Sequence, residues 1–267
     1  MLKKTVLLTL LASLSVAATA WAVAPTGAAT KRADASCRAL RGQIGPASFT
    51  QAFGTLGGCV SSLARVEQQN LDAAQAACTA EQGDANFAAT HGGKTFVQFY
   101  GVGPLGKNAF ARCVAAKARA SSQAEGQSRP NPARLCVAQR TLMTPALFAS
   151  NYGTNGNDRN AFGKCVSTMA HSEVQNELTA AAACRAEQAA ASFAADHAGK
   201  TFAQFYGTND LANAFGKCVA AKAKAKTQAQ QQATIAAVKA CGVERKADRA
   251  AFKTKYGTFR NCVLQHS

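Results

Sequence analysis

Ten cysteines, four histidines, two Gly-Lys-Thr triplets and a lysine-rich C-terminal third are the features of this 267-residue chain whose residue types could carry chemistry. Cysteines can bind metal, attack a substrate or oxidise to disulfides. No two stand as Cys-x-x-Cys, and His91, His171, His197 and His266 are not paired with them at ligand spacing, so a zinc site is disfavoured and no metal ligand is assigned. An even cysteine count in an exported chain argues for disulfides. It also leaves no free thiol beside His91 or His197 to act as a nucleophile.

Gly93-Lys94-Thr95 and Gly199-Lys200-Thr201 lack the earlier glycine that a phosphate-binding loop places four residues before Gly-Lys. The Asn-rich turn from Thr154 to Asn160 holds one carboxylate, Asp158, where a calcium loop needs several, so it reads as a turn with Asn160 capping the next helix. With no triad and no paired carboxylates in view, we assign no catalytic residue and no cofactor, and expect a non-enzymatic protein.

The remaining chemistry is charge. The chain has 30 Lys and Arg against 14 Asp and Glu, a formal +16. Residues 217–260 hold eleven cations and two acids, Glu244 and Asp248, so the excess is polarised toward the C-terminus. Lys217, Lys222, Lys224, Lys226, Lys239, Arg245 and Lys246 are therefore the candidate contacts for an acidic polysaccharide or other polyanion. A solvated helix whose charge serves solubility, on a structural or protein-binding repeat protein, is the alternative.

What must position these residues is a repeat. Five times the chain reads Phe-x-x-x-(Tyr or Phe)-Gly, at Phe49, Phe96, Phe148, Phe202 and Phe252. Five times a residue pair Cys-Val follows an apolar residue three before the cysteine. The units are 37–60, 78–114, 136–166, 184–219 and 241–263. They alternate in length, so the larger period is a pair of units of about 105 residues. Phe and Tyr at i, i+4 share one helix face, and the glycine that follows suits a left-handed helix stop.

Three of the four stretches between units are rich in Ala, Gln, Glu and Lys with no Gly or Pro inside, which favours continuous helix. A helix of 19 residues, the spacing from Cys59 to Cys78, holds its ends about 28 Å apart, whereas disulfide Cα atoms lie within about 7 Å. Pairing is therefore expected within units: Cys37 with Cys59, Cys78 with Cys113, Cys136 with Cys165, Cys184 with Cys218, and Cys241 with Cys262. All 14 Phe lie inside the units, which places the apolar core at the corners and leaves the long helices sparsely packed along their middles. The expected fold is all-α, with tandem disulfide-stapled corners joined by long helices in a bundle or an open zigzag. Pro130 and Pro132 should break the second long helix.

At the N-terminus, Lys3 and Lys4 precede an apolar run that closes on Ala20-Trp21-Ala22. Residues 1–22 are thus expected to be a signal peptide, 23–36 a flexible segment, and the protein secreted or associated with the cell envelope. No membrane span is expected after its removal. The run from Tyr152-Gly153-Thr154-Asn155 through Asn160-Ala161-Phe162-Gly163-Lys164-Cys165-Val166-Ser167 resembles the repeat of secreted bacterial proteins that carry tandem Y-G-T-N…N-A-F-G-K-C-V-S motifs. The resemblance covers essentially the whole mature chain. It implies export and tandem architecture, and no site residue.

Overall fold

The computed structural model describes residues 24–207 and 213–267. The expected signal peptide, 1–22, lies outside these. The elements are α1 (Gly27–Ile44), α2 (Pro46–Phe53), α3 (Leu56–Gln82), α4 (Phe87–Thr90), α5 (Phe96–Tyr100), α6 (Ala109–Ser128), α7 (Pro132–Met143), α8 (Pro145–Tyr152), α9 (Ala161–Ala189), α10 (Phe193–Asp196), α11 (Phe202–Tyr206), α12 (Ala214–Ala247), α13 (Arg249–Tyr256) and α14 (Phe259–His266). The chain is all-α, with disulfides joining its helices.

Five disulfides, Cys37–Cys59, Cys78–Cys113, Cys136–Cys165, Cys184–Cys218 and Cys241–Cys262, each close within one unit. Such a set belongs in an oxidising compartment. The open-or-closed question resolves to closed. Helices α3, α6, α12 and α9 pack in a ring, α3 on α6, α6 on α12, α12 on α9 and α9 back on α3, which is a four-helix bundle. Helix α1 lies outside on α3, and α7 on α9 and α12. The second long helix is broken where the prolines stand, between Ser128 and Pro132.

Two expectations are corrected. The stretch 23–36 is helical from Gly27, because Ala29, Ala33, Cys37 and Leu40 form a buried seam on α3. The middles of the long helices are not sparse either. Between its cysteines α3 buries Leu63, Ala64, Val66, Glu67, Asn70, Ala73 and Ala74, a heptad-like stripe in which small and polar residues stand in place of large apolar ones. Small residues let backbones close in: the Gly216 N–H donates to Ser121 Oγ at 3.2 Å, and a Cβ on Gly216 would stand 2.4 Å from Ser121 Cα.

The second pair of units is slid along the first. If the duplicated pairs packed level, Asp72 would neighbour residue 178, yet it meets Arg185 at 3.1 Å, seven residues further on and about 10 Å along the axis. The corner of unit two consequently stands proud, with its own small core of Cys78, Phe87, Phe96, Ala109 and Cys113.

The glycine behind each aromatic has two uses. Gly54 and Gly257 take the left-handed φ of 71° that was expected. Gly101, Gly153 and Gly207 are extended instead, and at Gly101 a Cβ would collide with the Gly106 backbone at 2.4 Å. Asn160 makes no cap bond to its helix; its amide spans the turn, accepting from Thr154 N at 3.1 Å and donating to Thr154 Oγ1 at 2.7 Å.

Candidate functional site

Each corner is built on three positions that the cysteines fix: the residue three after the opening cysteine, the second aromatic, and the residue four after the closing cysteine. In units two and four, Glu81 and Glu187 accept from the Tyr100 and Tyr206 hydroxyls at 3.0 and 2.9 Å, and pair with Lys117 and Lys222 at 2.7 Å. In unit five, Glu244 accepts from Tyr256, whose hydroxyl also meets His266 Nε2 at 3.0 Å. In unit three the acid becomes Gln139, which accepts from Tyr152 and donates toward Met169 Sδ at 3.6 Å. In unit one, where Phe53 replaces Tyr, the flanking positions are Leu40 and Leu63. Removing the hydroxyl removes the need for a polar partner, so polarity changes together at all three positions.

The corner histidines are held by packing. His91 stacks on Phe87 with centroids 3.7 Å apart, and its Nδ1 faces the Phe87 carbonyl at 2.9 Å; His197 repeats this on Phe193 at 3.9 Å. Lys94-Thr95 and Lys200-Thr201 open short helices, with Thr95 and Thr201 forming reciprocal caps with Gln98 and Gln204. The triplet that resembles a phosphate loop is thus a helix start. No cysteine among the described residues is free. The one group of metal-type side chains that converges among them is Cys241, Cys262 and His266, whose sulfurs are bonded to each other and offer no thiolate.

The seven basic candidates separate by their place around α12. Successive residues turn about 100°, which puts Lys217, Lys224, Lys239 and Lys246 within about 60° of one another, on a line roughly 44 Å long. Lys224, Lys239 and Lys246 are exposed and Lys217 is half-buried. Lys226 is exposed on another side of the helix. Lys222 is occupied by Glu187, and Arg245 turns inward, its guanidinium 4.5 Å above the Phe259 ring and 3.4 Å from Ser150 Oγ. The lone acid on α12, Glu244, is engaged by Lys255 at 2.8 Å.

The bundle interior holds a cluster that sequence reasoning missed. Glu67 of α3, Glu125 of α6, and Glu173 and Glu177 of α9 are each at most 4% exposed. Arg129 grips Glu177 through two bonds of 2.7 Å. Ser122 donates to Glu67 at 2.6 Å, and Asn70 donates to Glu125 at 3.1 Å. Both oxygens of Glu173 lack a hydrogen-bond partner, and they border a space of about 10 Å³, room for roughly one water, beside Arg129, Lys224 and Thr227.

Burial pushes Glu67 up, drives Glu125 well above the usual carboxylate range with help from neighbouring Glu177, and raises Glu173 to about 8 although Arg129 opposes the shift. For Arg129 burial works against the charge, and Glu177, Glu125 and Glu173 outweigh it. Among the described residues, no three of these acids bring ligand atoms within 4.8 Å of one another. The signal that could have found them was Glu or Asn recurring at heptad spacing among alanines.

Among the described residues no helix is long and apolar enough to cross a membrane. No family model, curated protein or solved structure matches the chain.

Proposed function

We propose that the protein is an exported, non-enzymatic scaffold that contacts an acidic polysaccharide of a cell envelope or matrix through a line of lysines along α12. The observation that carries this is the line of Lys217, Lys224, Lys239 and Lys246 on a helix whose sole acid, Glu244, is already paired. Removing Lys3 and Lys4 with residues 1–22 lowers the formal charge from +16 only to +14. Lysines spread over roughly 44 Å suit a linear polymer with repeating negative charge better than a compact anion. Five staples hold the frame that presents them.

Chromatography on immobilised heparin tests the reading. The secreted protein should be retained at low salt and elute as salt rises, since the attraction is displaced by ions. Lys224→Gln/Lys239→Gln/Lys246→Gln should elute markedly earlier than the charge-matched Lys94→Gln/Lys107→Gln/Lys200→Gln. Equal elution of the two variants, salt-insensitive retention, or no retention at low salt would overturn it and favour a structural or protein-binding role.

A further inference from the structure

At the end of the bundle opposite the protruding corner, α8, α9, α12 and α14 stand around a cavity of about 590 Å³. That lies within the range of roughly 300–1,000 Å³ typical of small-molecule sites. Its walls are chiefly apolar, with Tyr152, Met169, Val263 and Leu264 contributing from three of the four helices. Leu264, 64% exposed, forms the apolar rim of the cavity.

Two polar features orient an occupant. Asn151 is only 6% exposed, lines the cavity, and its amide makes no hydrogen bond among the described residues. The Tyr152 hydroxyl beside it is already committed to Gln139, which leaves the Asn151 amide as the group there able to meet an occupant. Arg260 is the only charged side chain in the lining, which also includes Ser267 at the end of α14, and no ion pair engages Arg260 among the described residues. It is exposed at the cavity wall, and its charge opposes the upward push that burial gives the Tyr152 hydroxyl. Thr168, Ser172 and Thr234 add hydroxyls to the walls.

From these observations we infer that the cavity binds an amphiphilic monoanion of fatty-acid size, with its apolar chain against Tyr152, Met169, Val263 and Leu264 and its anionic head at Arg260 and Asn151. At roughly 30 Å³ per water-sized group, the space takes about twenty non-hydrogen atoms. A chain of 12 to 16 carbons with a carboxylate falls inside that. The Arg260 cation, in no ion pair among the described residues, disfavours a cationic head, and the apolar walls disfavour a bare inorganic anion. The site uses none of the lysines on the α12 line, so it stands apart from polysaccharide contact.

Isothermal titration of the full secreted chain with dodecanoate, dodecylammonium and inorganic phosphate tests this. Dodecanoate should bind at one site per chain, with dodecylammonium at least tenfold weaker and phosphate undetected. Arg260→Gln, on an exposed position of α14, should weaken dodecanoate about fivefold, the worth of one partly exposed ion pair. Ser172→Phe on α9 and, separately, Thr234→Trp on α12 fill the cavity without changing charge, and each should weaken it at least tenfold with helical circular dichroism unchanged.

The Lys224→Gln/Lys239→Gln/Lys246→Gln variant should lose heparin retention and keep dodecanoate binding, which separates the two sites. Binding of dodecylammonium as tight as dodecanoate, unchanged affinity in both filled variants, or no binding of dodecanoate would overturn the inference.

Discussion

Replacing Glu173 by Gln should make the protein more stable at alkaline pH and flatten its dependence on pH. Glu173 is buried on α9 with both carboxylate oxygens unbonded, and burial raises it from an ordinary 4.5 to about 8. The native state therefore holds this proton more tightly than the unfolded chain does. Its contribution is complete below about pH 4.5 and is lost as pH rises through about 8. At about 1.4 kcal/mol per pH unit the full interval amounts to roughly 5 kcal/mol. Glutamine keeps the shape of the protonated acid and cannot ionise.

Urea denaturation with the disulfides intact should accordingly find Glu173→Gln within about 1 kcal/mol of the parent at pH 5 and several kcal/mol more stable at pH 9. Glu67 and Glu125 are raised in the same direction, so the parent and the variant should both lose stability with pH, the variant with one proton less. Parallel curves, or a variant weaker at every pH, would mean that Glu173 is ionised against Arg129, and the account of the bundle interior would fail.

Three further outcomes follow from the corners and the helix contacts. Glu187→Leu alone should cost about 1–2 kcal/mol by removing the acceptor of the Tyr206 hydroxyl and a partly solvated ion pair with Lys222, whereas Glu187→Leu/Tyr206→Phe/Lys222→Leu, which reproduces the apolar set of unit one, should recover most of that in thermal melts. Gly216→Ala should destabilise by about 3 kcal/mol or more because its Cβ would enter the Ser121 backbone; Gly163→Ala, at the matching repeat position, meets nothing closer than 4.0 Å and should be neutral or slightly stabilising. Replacing Cys241 and Cys262 with Ser should cost roughly 3 kcal/mol, the chain-entropy value for a loop of 21 residues, read by urea denaturation with the other four staples intact.

The staples and helices were legible because their signals are discrete. Cysteine spacing set against helix length leaves few pairings that a straight helix permits, and the Phe–Tyr period marks each corner. The bundle seam was illegible for a physical reason. It is filled by Ala, Glu, Asn, Ser and Thr, and a search for large apolar residues at helical spacing passes over Glu67, Asn70, Glu173 and Glu177 as surface. The same bias turned Ala29 and Ala33 of α1 into a flexible segment. The lysine line was hidden differently: read as neighbours, Lys222, Lys224 and Lys226 scatter around the helix, and only spacings of seven and fifteen align Lys217, Lys224, Lys239 and Lys246.

The five disulfide loops succeed one another along the chain without overlap, the last half-cystine of each preceding the first of the next. A chain threading into an oxidising space from its N-terminus would present its thiols in that same order. Joining each newly arrived thiol to the one still waiting yields the native set every time, starting with Cys37 and Cys59. Wrong bridges need a thiol to skip its neighbour, and within the long helices that separation is held open. Maturation of this fold is thereby compatible with a simple oxidant acting in sequence, with no enzyme to reshuffle pairs.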